Sequence, residues 1–479
     1  MEQNPWRLDG TVPDALAREV ERPLAAVLWK RLLADEPRRF HVVLGPRRVG
    51  KTTAMYQTVR RLLQNGVPAS RVWWLRLDHP LLMTVPLGNL VRVVSVGATA
   101  AAPVFLFLDE VTYADQWDLW LKTFYDDNWP VRIVGTSSAK AALRDRRLES
   151  GIGRWDEQYL APYSFAEYLQ LGKVAVPAVP AATSLGRTLD AWFEAGATVP
   201  DLTDRRRRFI LTGGFPELLL AGNADRADES TLLLQSQRTL RSDAVERAVY
   251  KDIPQAFDLD SPLGLERLLY TLAGQFTGIL SPTGIGSDTG LSQQTFDRYL
   301  SYLERAFLVF TLQNYAGSEG AKQRRGRKLY FVDGAVRNAA LQRGLGPLTD
   351  ATEMGLLFEN LAASHLHALG LQSQTRLYYW RDKEDEIDLV YDHPEQPLAF
   401  EIASRPGHRR GGVVAFMARF PRFRGRCYVV APAALSRRAA DSTDGIGSLP
   451  LDILLLAASA QSGAELADRL AVPASSRPA

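Results

Sequence analysis

The sequence predicts an α/β fold built on a parallel sheet that carries a phosphate-binding loop, and three stretches predict it. FHVVL, from Phe40, stops at a glycine and opens into GPRRVGKTT. PVFLFLDEV, from Pro103, ends in Asp109 and Glu110, and VRIVG, from Val131 to Gly135, ends in Thr136, Ser137 and Ser138. Short apolar runs that end in turn or polar residues and alternate with helical patterns read as strands buried on both faces.

Taken in order, Leu16 to Leu33 has apolar residues at helical spacing and reads as a lead-in helix beside the sheet. The first strand then runs into a loop with full G-x-x-x-x-G-K-T spacing, supplied by Gly45, Gly50, Lys51 and Thr52. Pro46, Arg47, Arg48 and Val49 fill the loop and Thr53 follows it, so 45–53 is the expected nucleotide-binding segment, a Walker A motif. Each chemical type there has a task. Glycines let backbone N–H groups close around phosphate oxygens, and the helix opening at Lys51 aims its dipole at the same anion. Lys51 would reach the β and γ phosphates, and the Thr52 hydroxyl would coordinate Mg²⁺.

VWWLRL, Val72 to Leu77, is the next candidate strand. After it, Asp109 ends a buried run and is placed to hold the Mg²⁺ that Thr52 touches, while Glu110 is the base that polarises an attacking water, a Walker B pattern. A base at that strand tip favours hydrolysis over nucleotide storage. Trp117, Trp120, Leu121 and Phe124 share a helical face and read as core. Thr136, Ser137 and Ser138 either sense the γ-phosphate and hold the water, or form a simple polar turn. Arg144, Arg146, Arg147 and Arg154 follow, and one of them is expected to act as a finger on the phosphates of a neighbouring subunit in a homo-oligomer.

With 479 residues, 46% of them hydrophobic and 23% charged, the chain has room for roughly two to four globular domains. A net charge of +3 gives no global field, so nucleic-acid contact must come from local basic clusters. The single Cys427 excludes internal disulfides and fits a reducing compartment. No apolar run reaches about 18 residues and no leader pattern opens the chain, so a cytoplasmic protein with no membrane partner is expected.

These motifs, taken together, resemble the archaeal-type AAA ATPases that carry a C-terminal domain of unknown function related to PD-(D/E)xK nucleases. The resemblance rests on GPRRVGKTT, FLDEV, GTSSA, LESGIGRW and LAPYSFAEYL in that order, continued by GGFPE, YKDI, TFDRYLSYLERAFLVFTL and KLYFVDGAVRNAAL. It implies an ATP-hydrolysing module with Thr136 to Ser138 in the sensor position and Arg154 as the arginine of the GxGR-like segment. ATP rather than GTP is likewise what the resemblance implies.

Six segments are expected: an AAA-like P-loop core at 1–170, a Pro/Ala-rich insertion or linker at 171–204, a lid-like helical extension at 205–260, a winged helix at 261–345, a nuclease-like α/β domain at 346–470 and a tail at 471–479. Ser164 and Glu167 form a capping box that starts a helix. The run Arg205 to Arg208 reads as a solvated helix face or a nucleic-acid contact. In the winged-helix stretch, Phe296, Tyr299, Leu300 and Leu303 form the apolar stripe, leaving Gln293, Gln294, Asp297 and Arg298 to face a DNA groove. Lys322, Arg324, Arg325, Arg327 and Lys328 place five cations at the expected wing tip, where they would bind DNA phosphates in a salt-dependent way.

For the last domain the resemblance implies that Glu359, Asp388 and Glu401 gather a divalent metal. The lysine expected two residues after Glu401 is absent: Ala403 stands there, and only Lys383 or Arg405, reaching from other positions, would substitute. An arginine is a poor base, so the expected domain is degenerate, a fold that holds nucleic acid without cutting it. His365 and His367 are two apart on a helix and do not form a ligand pair. The expected function is Mg²⁺- and ATP-dependent ATPase activity coupled to a DNA-binding C-terminal half. An ATP-gated metal-dependent DNA nuclease and a nucleotide-dependent switch acting on a protein partner are the alternatives.

Overall fold

The computed structural model describes residues 3–34, 38–138, 153–221, 228–257, 259, 261–318, 326–404 and 410–471. The chain divides into two compact units, one of Met1–Leu160 with Leu466–Ala479 and one of Ala161–Glu465.

The first unit is a five-stranded sheet of β1 (Phe40–Leu44), β2 (Val72–Arg76), β3 (Val104–Asp109), β4 (Val131–Ser137) and β5 (Trp155–Tyr159), in the order β2-β3-β4-β1-β5. Every pairing is parallel. Every residue of β1 and β3 is buried, as central strands covered on both faces require. Helix Lys51–Gln64 buries Ala54, Met55, Val59 and Leu62, and the lead-in helix Pro23–Leu33 packs on it. Trp117, Leu121 and Phe124 are buried on helix Trp117–Asp126, while Trp120 closes over Gly88 of helix Leu87–Val94, where a Cβ would lie 2.3 Å from the indole.

The β2 edge of the sheet is covered. The Asn4 amide copies a strand's hydrogen bonds at β2, donating to the Trp74 carbonyl at 3.0 Å and accepting the Trp74 amide at 2.6 Å. Covering an edge in this way removes a template for pairing with another chain.

The second unit holds a seven-stranded sheet of β6 (Val309–Asn314), β7 (Arg327–Phe331), β8 (Leu377–Asp382), β9 (Asp385–Tyr391), β10 (Leu398–Ile402), β11 (Cys427–Ala431) and β12 (Ile446–Pro450). Its order is β12-β11-β10-β9-β8-β6-β7. The hairpin β6–β7 therefore joins the sheet of β8–β12, through a parallel pairing of β6 with β8, and the 345/346 boundary expected from the sequence falls inside one unit. Ahead of β6 come helices Pro262–Gly274, Pro282–Thr289 and Gln293–Arg305, with the segment between the first two bonded to β7: Thr277 N donates to Leu329 O at 2.7 Å and Leu280 N to Arg327 O at 2.8 Å.

The 171–204 stretch, read as an insertion or linker, contains helix Leu185–Ala195, which buries Leu185, Leu189 and Trp192. Their helical spacing was hidden by the Pro- and Ala-rich composition before them. Ser164 and Glu167 form the expected capping box of helix Phe165–Leu171. Of the arginine run, Arg206 is not solvated: its side chain, 4% exposed, pairs with the 8% exposed Asp452.

Candidate nucleotide site and an acidic cluster

Parallel sheets bind ligands at the carboxyl ends of their strands, and in the first unit β1, β3 and β4 deliver the predicted residues to one end. The register pairs Val43 with Thr136 and Leu44 with Ser137, while Leu108 pairs with Gly135, so Asp109 lies one strand over from the hydroxyls. The loop after β1 fits its glycines tightly. A Cβ at Gly45 would lie 2.2 Å from the Leu160 carbonyl oxygen, and Gly50 caps helix Lys51–Gln64 in the left-handed region at φ 87°, with no side chain to close the first turn. Free N–H groups in a helix's first turn, together with the helix dipole, suit an anion.

Lys51 is buried and donates to the carbonyls of Gly45 and Pro46 at 2.9 and 2.8 Å, so its ammonium lies across the loop it belongs to. Arg48, exposed at φ 61°, and half-buried Arg47 lie between buried Pro46 and Val49, and Thr53 is half-buried on the helix. Thr52 Oγ1 lies 3.3 and 3.2 Å from Asp109 Oδ1 and Oδ2. On the other side, Thr136 Oγ1 donates to Asp109 Oδ1 at 2.7 Å and accepts the Glu110 amide at 2.9 Å. Ser138 Oγ donates to Glu110 Oε2 at 3.3 Å, and the Thr112 and Ser137 hydroxyls meet at 3.5 Å. Burial, reinforced by the Glu110 charge and opposed by the Thr136 hydroxyl and Lys51, pushes Asp109 up to about 6. Tyr56 is pushed up to about 12 by burial and the Asp109 charge, a neighbour that sequence reading did not place there.

Arg154 is brought to a different place. It precedes β5, its carbonyl accepts the Phe40 amide at 3.0 Å, and its guanidinium bonds both oxygens of Asp126 at 2.8 and 3.0 Å. Phe40 begins β1 and the phosphate loop follows its end, so Arg154 lies at the opposite strand end and does not act on the phosphates of its own site. Arg144, Arg146 and Arg147 lie outside the described residues.

In the second unit, Glu359 on helix Ala351–Ser373, Glu386 and Asp388 on β9 and Glu401 on β10 form one acidic cluster. Lys328 is in the middle of it. Its Nζ, on a side chain 3% exposed, lies 2.8 Å from Glu359 Oε1, 2.7 Å from Glu386 Oε1 and 3.0 Å from Asp388 Oδ1. This corrects the wing-tip assignment: a buried ammonium shared by three carboxylates does not bind DNA phosphates. Glu386 and Asp388 stand on an interior strand, because β9 runs between β8 and β10. Arg327 pairs with Asp297 at 2.7 Å; Lys322, Arg324 and Arg325 lie outside the described residues.

The Tyr330 hydroxyl donates to Glu359 Oε1 at 2.8 Å and the Ile402 amide to Asp388 Oδ2 at 2.8 Å. Burial and the Asp388 charge push Glu359 up to about 7 and Glu401 up to about 9. Ala403 is buried, Lys383 is exposed at the β8–β9 turn and Arg405 lies outside the described residues. Sequence reading missed Lys328 as a partner of the cluster; the only signal was the strand alternation that puts Lys328 and Tyr330 on one face. Among the described residues, no group of three or more His, Cys, Asp or Glu side chains is arranged to hold a metal ion.

His365 and His367 make separate packing contacts. His365 Nε2 accepts the Phe165 amide at 2.9 Å and its Nδ1 meets the Leu361 carbonyl at 2.9 Å, while His367 stacks on Phe310 at 4.0 Å.

Residues 37–169 match the model of an AAA domain. With the parallel sheet and the loop geometry, that match supports an AAA-type ATPase domain in the first unit. Residues 203–346 and 354–440 match two domains of unknown function, DUF8612 and DUF4143. Two uncharacterized proteins of Methanocaldococcus jannaschii are similar, one 22% identical over 365 residues, covering 74% of this chain and 72% of that protein, the other 25% identical over 372 residues, covering 76% and 75%. Among solved structures, the ORC2 protein of Aeropyrum pernix in ADPNP–ADP complexes aligns at 13% identity with a TM-score of 0.36, covering 73% of this chain and 99% of that one. No helix of the described residues is long and apolar enough to cross a membrane.

Proposed function

We propose that the first unit hydrolyses ATP, with Lys51 and the 45–53 loop binding phosphate and Glu110 acting as base. The observation that carries this reading is the Thr136 hydroxyl bridging the Asp109 carboxylate and the Glu110 amide at the end of the sheet where the phosphate loop opens. Nucleotide storage needs a phosphate loop but no second acid with its own support.

Thr52 and Asp109 supply adjacent hard oxygen donors, the set Mg²⁺ takes, and Mg²⁺ arriving with the nucleotide would neutralise charge on the β and γ phosphates there. Lys51 releases the Gly45 and Pro46 carbonyls to reach those phosphates. Glu110 draws the proton from the attacking water, with one carboxylate oxygen steadied by Ser138. Thr136 fixes the direction of Glu110 through its backbone amide. The Arg154 position is compatible with a finger role only towards a neighbouring subunit.

Glu110→Gln should still bind nucleotide while turnover drops by about 10²-fold or more. Lys51→Ala should lose binding. Glu110→Gln hydrolysing ATP at the wild-type rate, with Lys51→Ala binding normally, would refute the assignment.

We further propose that the second unit binds DNA and that ATP turnover is coupled to that binding. The order of helix, short strand segment, two helices and hairpin over 262–331 supports the winged-helix reading. Its helix Gln293–Arg305 buries Phe296, Tyr299, Leu300 and Leu303 and exposes Gln293, Gln294 and Arg298. DNA affinity that falls with salt, with a shallower slope when Arg324, Arg325 and Arg327 are replaced by Ala, is the expected result. No salt slope and no DNA stimulation of the ATPase would remove DNA and leave a protein partner.

A further inference from the structure

The acidic cluster of the second unit contains Glu359, Asp388 and Glu401, the carboxylates expected from the sequence to gather a metal, but Lys328 enters it from an element outside the expected domain. Lys328 reaches it from β7, and its backbone is held on both sides, by Leu312 of β6 and by an antiparallel bridge to Ile279. The ladder thus fixes the Cα, and strand alternation turns Lys328 inward with Tyr330. An ammonium has three protons. Here three carboxylate oxygens stand at 2.7, 2.8 and 3.0 Å from Nζ, one for each. Mg²⁺ binds oxygen at about 2.0–2.1 Å in near-octahedral geometry and keeps several waters. It cannot share these oxygens with a buried ammonium, and the Lys328 side chain is 3% exposed. The donor set therefore does not fit a divalent cation while Lys328 is in place.

We propose that Lys328 is a resident cation that takes the position of the divalent metal among Glu359, Glu386 and Asp388, so that this centre is locked as an ion-paired support and does not hydrolyse phosphodiesters. The arrangement ties β7 to helix Ala351–Ser373 and to β9, three elements separated in the chain, with one side chain. Removing one carboxylate would leave the ammonium with fewer partners; removing the ammonium would leave the carboxylates short of positive charge and open to a metal.

The test is Mn²⁺ binding by the nucleotide-free full chain, followed by electron paramagnetic resonance of the free ion, for wild type, Asp388→Asn and Lys328→Met. Wild type and Asp388→Asn should bind the same amount of Mn²⁺, and folded Lys328→Met should bind about one equivalent more. One wild-type equivalent lost in Asp388→Asn would overturn the proposal, as would Lys328→Met with a native circular dichroism spectrum and no gain. If Lys328→Met does not fold, the wild type and Asp388→Asn titrations decide alone, identical curves supporting the resident cation. Cleavage of DNA by wild type with Mn²⁺, abolished in Asp388→Asn, would also overturn it.

Discussion

The Thr136 hydroxyl donates to Asp109 Oδ1 at 2.7 Å, and the same oxygen accepts the Glu110 amide at 2.9 Å. Glu110 sits at φ 54°, a left-handed conformation that costs a side-chain-bearing residue of the order of 1–3 kcal/mol unless its surroundings hold it. Thr136 is one of the groups that hold it. Thr136→Val keeps the shape and removes both bonds, so steady-state ATPase assays should show a roughly tenfold to hundredfold lower kcat with a smaller change in nucleotide affinity. Thr136→Ser should restore most of the rate. A Thr136→Val rate equal to wild type would mean that the hydroxyl has no positioning role.

Gly45 is required by contact with Leu160. A Cβ there would stand 2.2 Å from the Leu160 oxygen, and Leu160 cannot give way easily because its own amide donates to Leu44 O at 2.7 Å. Gly45→Ala should cost about 1–3 kcal/mol in overpacking and displace the phosphate loop, lowering both the melting temperature and the affinity for nucleotide. Gly463→Ala is the control. It lies in helix Leu451–Arg469 with nothing near its added methyl, and should be neutral or stabilising by up to about 1 kcal/mol.

The nucleotide end was legible because its chemistry is local. Gly45 to Thr53 is one unbroken segment, and Asp109 and Thr136 each end an apolar run, so a parallel sheet brings them together once strand order is fixed. Lys328 was not legible. Its partners Glu359, Glu386 and Asp388 lie on a helix and a strand far along the chain, and its neighbours Arg324, Arg325 and Arg327 made it look like one more surface cation. Arg206 was hidden in the same way, inside a run of four arginines whose other members mask the one that turns inward. Charge composition reports how many cations a segment has, and only tertiary pairing decides which one is buried. The joining of β6 to β8 was not legible for a related reason: the two strands pair across residues 345 and 346, a non-local contact with no signature in either strand.

Arg206 and Asp452 form a buried ion pair within the second unit, with side chains 4% and 8% exposed. Such a pair adds little over an apolar pair of equal volume, because desolvation offsets most of the attraction, but breaking it strands a charge. Arg206→Met alone should therefore destabilise by about 3–5 kcal/mol in urea unfolding, while Arg206→Met with Asp452→Leu should recover most of that loss. Equal losses in the single and double variants would show that packing of the arginine stem, rather than the ion pair, matters there.

His365 makes the second unit sensitive to acid. Burial pushes it down to about 4, below the roughly 6.5 of an exposed imidazole, and its neutral ring is used on both nitrogens, by the Phe165 amide and the Leu361 carbonyl. Above pH 6.5 the ring is neutral in both the folded and the unfolded chain and contributes no pH dependence. As pH falls from about 6.5 towards 4, the unfolded chain takes up a proton that the folded one refuses, so stability is lost across that window, by up to about 3 kcal/mol. Asp333, pushed up to about 6 by burial, acts with the opposite sign, since its folded form binds the proton first as pH falls. The total pH profile is therefore a poor test, and the difference between wild type and His365→Gln is a good one, because Asp333 is common to both. At about pH 7.5 His365→Gln should be less stable than wild type by roughly 1–2 kcal/mol for its imperfect hydrogen bonds, and that gap should narrow or reverse by about pH 4.5. A gap that stays constant between the two pH values would mean that His365 does not titrate on unfolding.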